Sequence, residues 1–135
     1  MKSLSLLLAV PALAACSTPL EPPTRTAAAE EHLQKLLAGK AAGTPMACLP
    51  SHGAGSMVVI DDNTLAFRHG SRVYVNELRS GCSRLGSGWY SLITRTSGGR
   101  GPCSGDIAEI ADLSSGMTVG SCVLGDFVPY TRASG

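Results

Sequence analysis

MVVIDDNTLAFRHGSRVYVNEL, residues 57–78, decides the fold class. Three apolar runs, Met57–Ile60, Thr64–Arg68 and Arg72–Leu78, are separated by Asp61-Asp62-Asn63 and by His69-Gly70-Ser71. Asp and Asn side chains accept backbone N–H bonds and tolerate left-handed φ, and Gly has no Cβ to clash, so both separators are turn chemistry. The stretch therefore predicts a three-stranded antiparallel meander. In Arg72-Val73-Tyr74-Val75-Asn76 the two valines share one face and Arg72, Tyr74 and Asn76 the other, which predicts a sheet covered on one side and wet on the other.

Working outward, the same rhythm of short runs and turns continues through Trp89–Thr94, Ile107–Ala111, Met117–Leu124 and Phe127–Tyr130. Residues 44–135 thus read as a mainly β domain, a small antiparallel barrel or sandwich of six to seven short strands. The chain has 135 residues, room for one small domain and not two. Only 4% of it is aromatic, so the core must rest on Val, Ile and Leu and has little margin against chain entropy. Staples are available in Cys48, Cys82, Cys103 and Cys122, an even set once Cys16 is set aside. No pair among them has the short spacing of a zinc knuckle, so no metal is expected. Spacing leaves three pairings open. The expected one joins Cys82 to Cys103 across the strand around Trp89–Thr94, and Cys48 to Cys122 between the first and last strands.

Upstream, Thr26 precedes Ala27-Ala28-Ala29-Glu30-Glu31, with Lys35 and Lys40 late and Gly39 as a stop. An N-cap, early acids, late bases and a terminal glycine predict one helix over residues 27–38. Its stripe of Ala29, Leu33, Leu36 and Leu37 should pack on the chain's own domain. Ser17–Arg25 carries Pro19, Pro22 and Pro23 without apolar periodicity, a stiff extended tether. Lys2, the apolar run built on Leu4, Leu6, Leu7, Leu8 and Val10, and Leu13-Ala14-Ala15-Cys16 read as a signal peptide over residues 1–15 closed by a lipobox. Small side chains fit a signal-peptidase cleft, and the Cys16 thiol can receive a diacylglyceryl group. Residues 16–43 are then lipidated cysteine, tether and helix. Several acyl chains make a stable membrane anchor where one would be marginal. Ser17 rather than Asp after the acylated cysteine favours the outer membrane, with the domain facing the periplasm.

The chemistry offered is thin. Lys and Arg number 11 against 10 Asp and Glu, and loss of Lys2 with the leader leaves 10 against 10, so no basic field favours nucleic acid. His32, His52 and His69 are scattered, and no nucleophile elbow, zinc-helix motif or phosphate loop occurs. No catalytic residue and no cofactor is expected. The nearest approach to an active site is His52 among the serines of Ser51–Ser56, or Asp106. Asp106 and Asp126 each follow a glycine ahead of an apolar strand, where a carboxylate caps a turn by accepting backbone N–H bonds. Asp61-Asp62-Asn63 lacks the ligand loop that calcium requires. Candidate binding residues are Arg100, on the loop Ser97–Pro102, with Trp89 and Tyr90 after Gly86-Ser87-Gly88, since Arg and exposed aromatics make interface hot spots.

The segments Ile60-Asp61-Asp62-Asn63-Thr64-Leu65-Ala66-Phe67, Gly70–Leu78, Cys82 with Leu85, Cys103-Ser104-Gly105-Asp106-Ile107 and Gly120–Phe127 resemble a family of small proteobacterial lipoproteins known only as a domain of unknown function. The resemblance spans about Ala47–Tyr130 and implies an envelope location without implying an activity. The expected function is a non-catalytic envelope module that binds a protein partner or supports the envelope. The alternatives are an inhibitor of a lysozyme-type hydrolase, or a small hydrolase using His52 or Asp106.

Overall fold

A computed structural model describes residues 25–51, 55–95 and 99–134. The leader, Cys16, most of the proline-rich tether and His52 lie outside the described residues. The elements are α1 (Ala27–Leu37), β1 (Lys40–Ala42), β2 (Ser56–Asp61), β3 (Thr64–His69), β4 (Arg72–Glu77), a 3₁₀ turn (Leu85–Ser87), β5 (Tyr90–Thr94), β6 (Ile107–Asp112), β7 (Thr118–Val123) and β8 (Phe127–Arg132). They form two antiparallel sheets, a five-stranded one in the order β1-β8-β4-β3-β2 and a three-stranded one in the order β5-β6-β7. The chain is mainly β with one leading helix, and the sheets do not close into a barrel.

The meander of residues 57–78 forms as expected, with Met57 opposite Phe67 and Phe67 opposite Tyr74. At the first turn Asn63 donates its N–H to the Asp61 carboxylate at 2.8 Å. At the second, Gly70 holds φ +59°, the left-handed region a side chain disfavours.

The expectation of a half-wet sheet is overturned: both faces of the large sheet are covered. On one face α1 buries Ala29 and Leu33 against Ile60, Ala66, Val73 and Val75, with Leu36, Leu37, Val58 and Tyr130 at the margin. On the other the small sheet contributes Ala108, Ile110 and Cys122 to a core shared with Leu65, Phe67, Tyr74, Leu124 and Phe127. Tyr74 and Asn76 therefore point into the second core and are buried. A chain that places a helix on one side of a sheet and a second sheet on the other leaves no wet face.

Thr26 caps α1 as expected, accepting from the Ala29 N–H at 3.2 Å, and Gly39 ends it at φ +70°. β1 has no sequence signature of a strand. It exists because Lys40–Ala42 runs out of the helix beside β8 and pairs with Tyr130–Arg132.

Two disulfides close the sandwich, and their pairing differs from the expected one. Cys48 joins Cys103, and Cys82 joins Cys122. Cys48 and Cys103 face each other on a short ladder in which Leu49 donates to Pro102 and Ser104 to Ala47. The flanking residues take the hydrogen bonds, which brings the two side chains between them close together. Cys82 is placed by its N–H bond to the Asp62 carbonyl at the β2–β3 turn and meets Cys122 in the core. Each bond ties a segment leading from the large sheet to one belonging to the small sheet. The expected pairing failed because the segment of residues 79–89 crosses between the layers rather than lying beside β5 alone.

Candidate binding surface

Reactive side chains are the first candidates for function, and the described carboxylates near the turns are engaged in holding the chain. Asp106 accepts from the Cys103 N–H at 2.8 Å, while its own N–H donates to the Cys103 carbonyl at 3.0 Å, with Gly105 at φ +88° between them. This is the turn cap expected of it. Asp112, at the β6–β7 turn, accepts from the N–H groups of Ser114 and Ser115 at 2.7 and 3.1 Å. The Ser114 hydroxyl, followed by those backbone bonds, holds the Asp112 carboxyl below its ordinary range.

Asp126 departs from its expected role. It is exposed, and the corner before β8 is held by Asn76 instead. The fully buried Asn76 amide donates to the carbonyls of Gly125 at 2.8 Å and Asp126 at 3.4 Å, and its oxygen accepts from the Gly125 N–H at 3.0 Å. Gly125 must be glycine, because a Cβ there would collide with the Glu77 carbonyl. The sequence signal for Asn76 is its place two residues after Tyr74, on the same face of β4: once that face is covered, an amide there has to bind backbone.

A second cluster is centred on Arg25, at the end of the run that reads as tether in the sequence. Arg25 binds Glu30 at 2.9 Å and Glu77 at 2.6 Å, contacts Asp61 at 3.4 Å, and donates to the Thr64 hydroxyl at 2.9 Å. The Thr64 hydroxyl in turn donates to Glu77 at 2.9 Å. Burial works against the guanidinium charge, but the hydrogen bond to Glu30 and the charges of Glu77 and Asp61 outweigh it and raise the Arg25 pKa. Glu30 is lowered by its hydrogen bond from Gln34 first and from Arg25 second. The cluster fastens the start of α1 to the β2–β3 turn and the end of β4. An open hollow of about 310 Å³ lined by Thr26, Asp61, Asp62 and Asn63 lies next to it. Among the described residues no group of His, Cys, Asp or Glu is arranged to hold a metal ion. His32 is exposed on α1.

The candidate binding residues are divided. Trp89 is 71% exposed, while Tyr90 turns inward and packs against the core. Arg100 is exposed on the loop joining β5 to β6, whose approach to Leu49 is permitted by the buried Gly101. Trp89 immediately precedes β5 and Arg100 lies on the loop after it, so a strand of five residues, about 17 Å long at 3.3–3.4 Å per residue, stands between the two attachment points. Trp89 instead gains neighbours that sequence reasoning overlooked. Its carbonyl accepts from Leu113 at 3.0 Å, and Met117 accepts from Asp112 at 2.9 Å. Leu113 and Met117 are 62% and 67% exposed. Two large apolar residues inside the otherwise polar turn Leu113-Ser114-Ser115-Gly116-Met117 were the available signal.

This apolar tip lies at the end of the small sheet away from Ile107 and Val123. Val123 accepts from the Arg79 N–H, two residues beyond Glu77 in the Arg25 cluster, so the tip lies at the end of the small sheet away from that cluster. No family model, no curated protein and no solved structure matches the chain.

Proposed function

We propose that this chain is a non-catalytic lipoprotein of a Gram-negative envelope, anchored through Cys16 in the outer membrane and facing the periplasm. Its domain binds an envelope protein through the tip of Trp89, Leu113 and Met117. The observation that supports this reading is that tip: three large apolar side chains, each at least 62% exposed, stand on adjoining backbone positions at one end of the small sheet. Clustered exposed apolar residues mark protein interaction sites, whereas single exposed apolar residues do not. The carboxylate of Asp106 is taken up by its turn, which favours binding over hydrolysis at that residue.

The test is a photo-cross-linking side chain at Met117 in the full chain, expressed in its own envelope. The expected result is one discrete adduct that is lost when Leu113 is replaced by Asp and absent when the probe stands at Arg132. No adduct, or the same ladder from both positions, refutes the binding surface. A lysozyme-type hydrolase in the adduct makes the protein an inhibitor. Labelled palmitate tests the anchor separately: its retention on a Cys16→Ser chain refutes lipidation at that residue.

A further inference from the structure

Four strands stand at sheet edges: β1 and β2 in the large sheet, β5 and β7 in the small one. An edge with unpaired N–H and C=O groups accepts another strand, and folded proteins blunt such edges with shortness, bulges, charges or a covering segment. Three of these four are blunted. β1 is three residues long and begins with Lys40. The register of β2 is broken between Val59 and Asp61, it ends on a carboxylate, and Gly86 of the 3₁₀ turn lies against Val59. β7 shifts register opposite Ile110 and Ala111, and its outer side is closed at Val123 by Arg79 and by the Ser80 hydroxyl.

β5 has none of these devices. Tyr90-Ser91-Leu92-Ile93-Thr94 holds no charge and no proline, and its register with β6 runs unbroken from Tyr90 opposite Asp112 to Thr94 opposite Ala108. The 3₁₀ turn adjoins β5 without any backbone hydrogen bond to it among the described residues. Leu113 donates to the Trp89 carbonyl, so Trp89 faces the β6 side. Alternation along a strand then turns Ser91 and Ile93 toward β6, and the backbone groups of Tyr90, Leu92 and Thr94 toward the open side.

We infer that β5 is a self-association edge, on which a second copy of this chain pairs antiparallel about a two-fold axis at Leu92. In that register Tyr90 faces the second copy's Thr94, Leu92 faces Leu92, and Thr94 faces Tyr90. These are the residues with outward groups, so every outward N–H meets a carbonyl, and a shift of register leaves some without partners. The same register sets Ile93 opposite Ser91 and Arg95 opposite Trp89 on the outer face. Arg95, ion-paired with Glu109 of its own β6 at 3.3 Å but with its side chain 80% exposed, comes opposite Trp89, 71% exposed, so a cation is brought beside an indole and no like charges oppose. The contact is isologous, closes on itself, and joins the two small sheets into one of six strands. It depends neither on the anchor nor on the envelope partner, and it leaves Leu113 and Met117 free.

Sedimentation velocity of the full chain in mild detergent, from low to high micromolar, tests this alongside amide hydrogen exchange. The expected result is a monomer–dimer equilibrium in which Tyr90, Leu92 and Thr94 gain protection with concentration, while Ser91 and Ile93 are protected throughout. Thr94→Pro deletes one outward N–H and spares the β6 ladder, so it should give a monomer with an unchanged fold. Arg95→Glu in a Glu109→Gln background, where it meets no like charge within its own chain, should weaken dimerisation about tenfold relative to Glu109→Gln alone. A chain that stays monomeric, a dimer indifferent to both substitutions, or a dimer whose newly protected amides lie on β2 or β7 overturns the inference. If Thr94→Pro does not fold, the exchange pattern of the native chain decides.

Discussion

Replacing Arg25 by Ala should loosen the helix before it unfolds the sandwich. The side chain leaves four partners, and they are not equal. Glu30 and Glu77 are 45% and 59% exposed, so water screens both pairs and they add little to stability. Thr64 is buried at 1%, and there a charge-assisted bond contributes about 1.5 to 3 kcal/mol, while Asp61, one-fifth exposed, lies 3.4 Å from the Arg25 Nε without a hydrogen bond. The sum is about 2 to 3 kcal/mol, which at roughly 4 °C per kcal/mol lowers Tm by about 8 to 12 °C for a domain of this size. Circular dichroism gives the melting temperature, and hydrogen exchange should show Ala27–Leu37 losing protection more than β3 or β4. Arg25→Lys, which keeps the charge and loses the guanidinium fork, should fall between. The native protein also carries a pH signature. Glu30 is held below its ordinary value, by Gln34 first and Arg25 second, so its contribution is present above the unfolded pKa and is lost as pH falls through the folded one; acid below about pH 4 should remove it from the native chain, and Arg25→Ala, which keeps only the Gln34 bond, should lose less. An Arg25→Ala protein with native melting and native helix protection would refute the clamp.

Three further outcomes are expected. Gly125→Ala drives a Cβ into the Glu77 carbonyl and should destabilise by about 3 kcal/mol in denaturant titration, the upper end of overpacking penalties. Asp106→Ala should lower stability by about 1 kcal/mol through the lost Cys103 bond, while the exposed Asp126→Ala should change it by less than about 0.5 kcal/mol in the same titration. Removing either disulfide by a double Cys→Ala change should destabilise by about 4 kcal/mol on loop entropy alone. The closed loops span 55 and 40 residues, so entropy favours the Cys48–Cys103 bond slightly. Because Cys82 and Cys122 are also packed in the core, their loss should nevertheless be the larger, and calorimetry of the two variants checks the order.

What could be read from the residues alone was whatever is local. Asp61-Asp62-Asn63 and Gly70 carry their turns in their own chemistry, and Thr26 with Gly39 brackets a helix by capping alone. What could not be read depends on a second layer. Alternation in β4 announces two faces but not what covers each, and Tyr74 and Asn76 looked solvent-facing until the small sheet was laid over them. β1 has no pattern because its pairing with β8, rather than its composition, makes it a strand. Arg25 follows a proline-rich run and reads as tether, yet carboxylates from three separated segments converge on it. The split between Trp89 and Arg100 is likewise a matter of strand direction, which neighbouring positions on a loop do not reveal.

The two disulfides interleave, since Cys48 is joined past Cys82 to Cys103, and Cys82 past Cys103 to Cys122. For the envelope location proposed above, which would be reached N-terminus first and is oxidising, this sets an order of assembly. An oxidase meeting thiols as they emerge would join Cys48 to Cys82, a bond that belongs to no part of the finished molecule. Correct closure requires either that the two sheets dock before oxidation, presenting the right sulfurs to each other, or that thiol–disulfide exchange undoes an early error. Yield under rapid oxidation should therefore depend on an isomerase, while the folded protein, once sealed, has no consecutive bond through which a shorter loop could reopen.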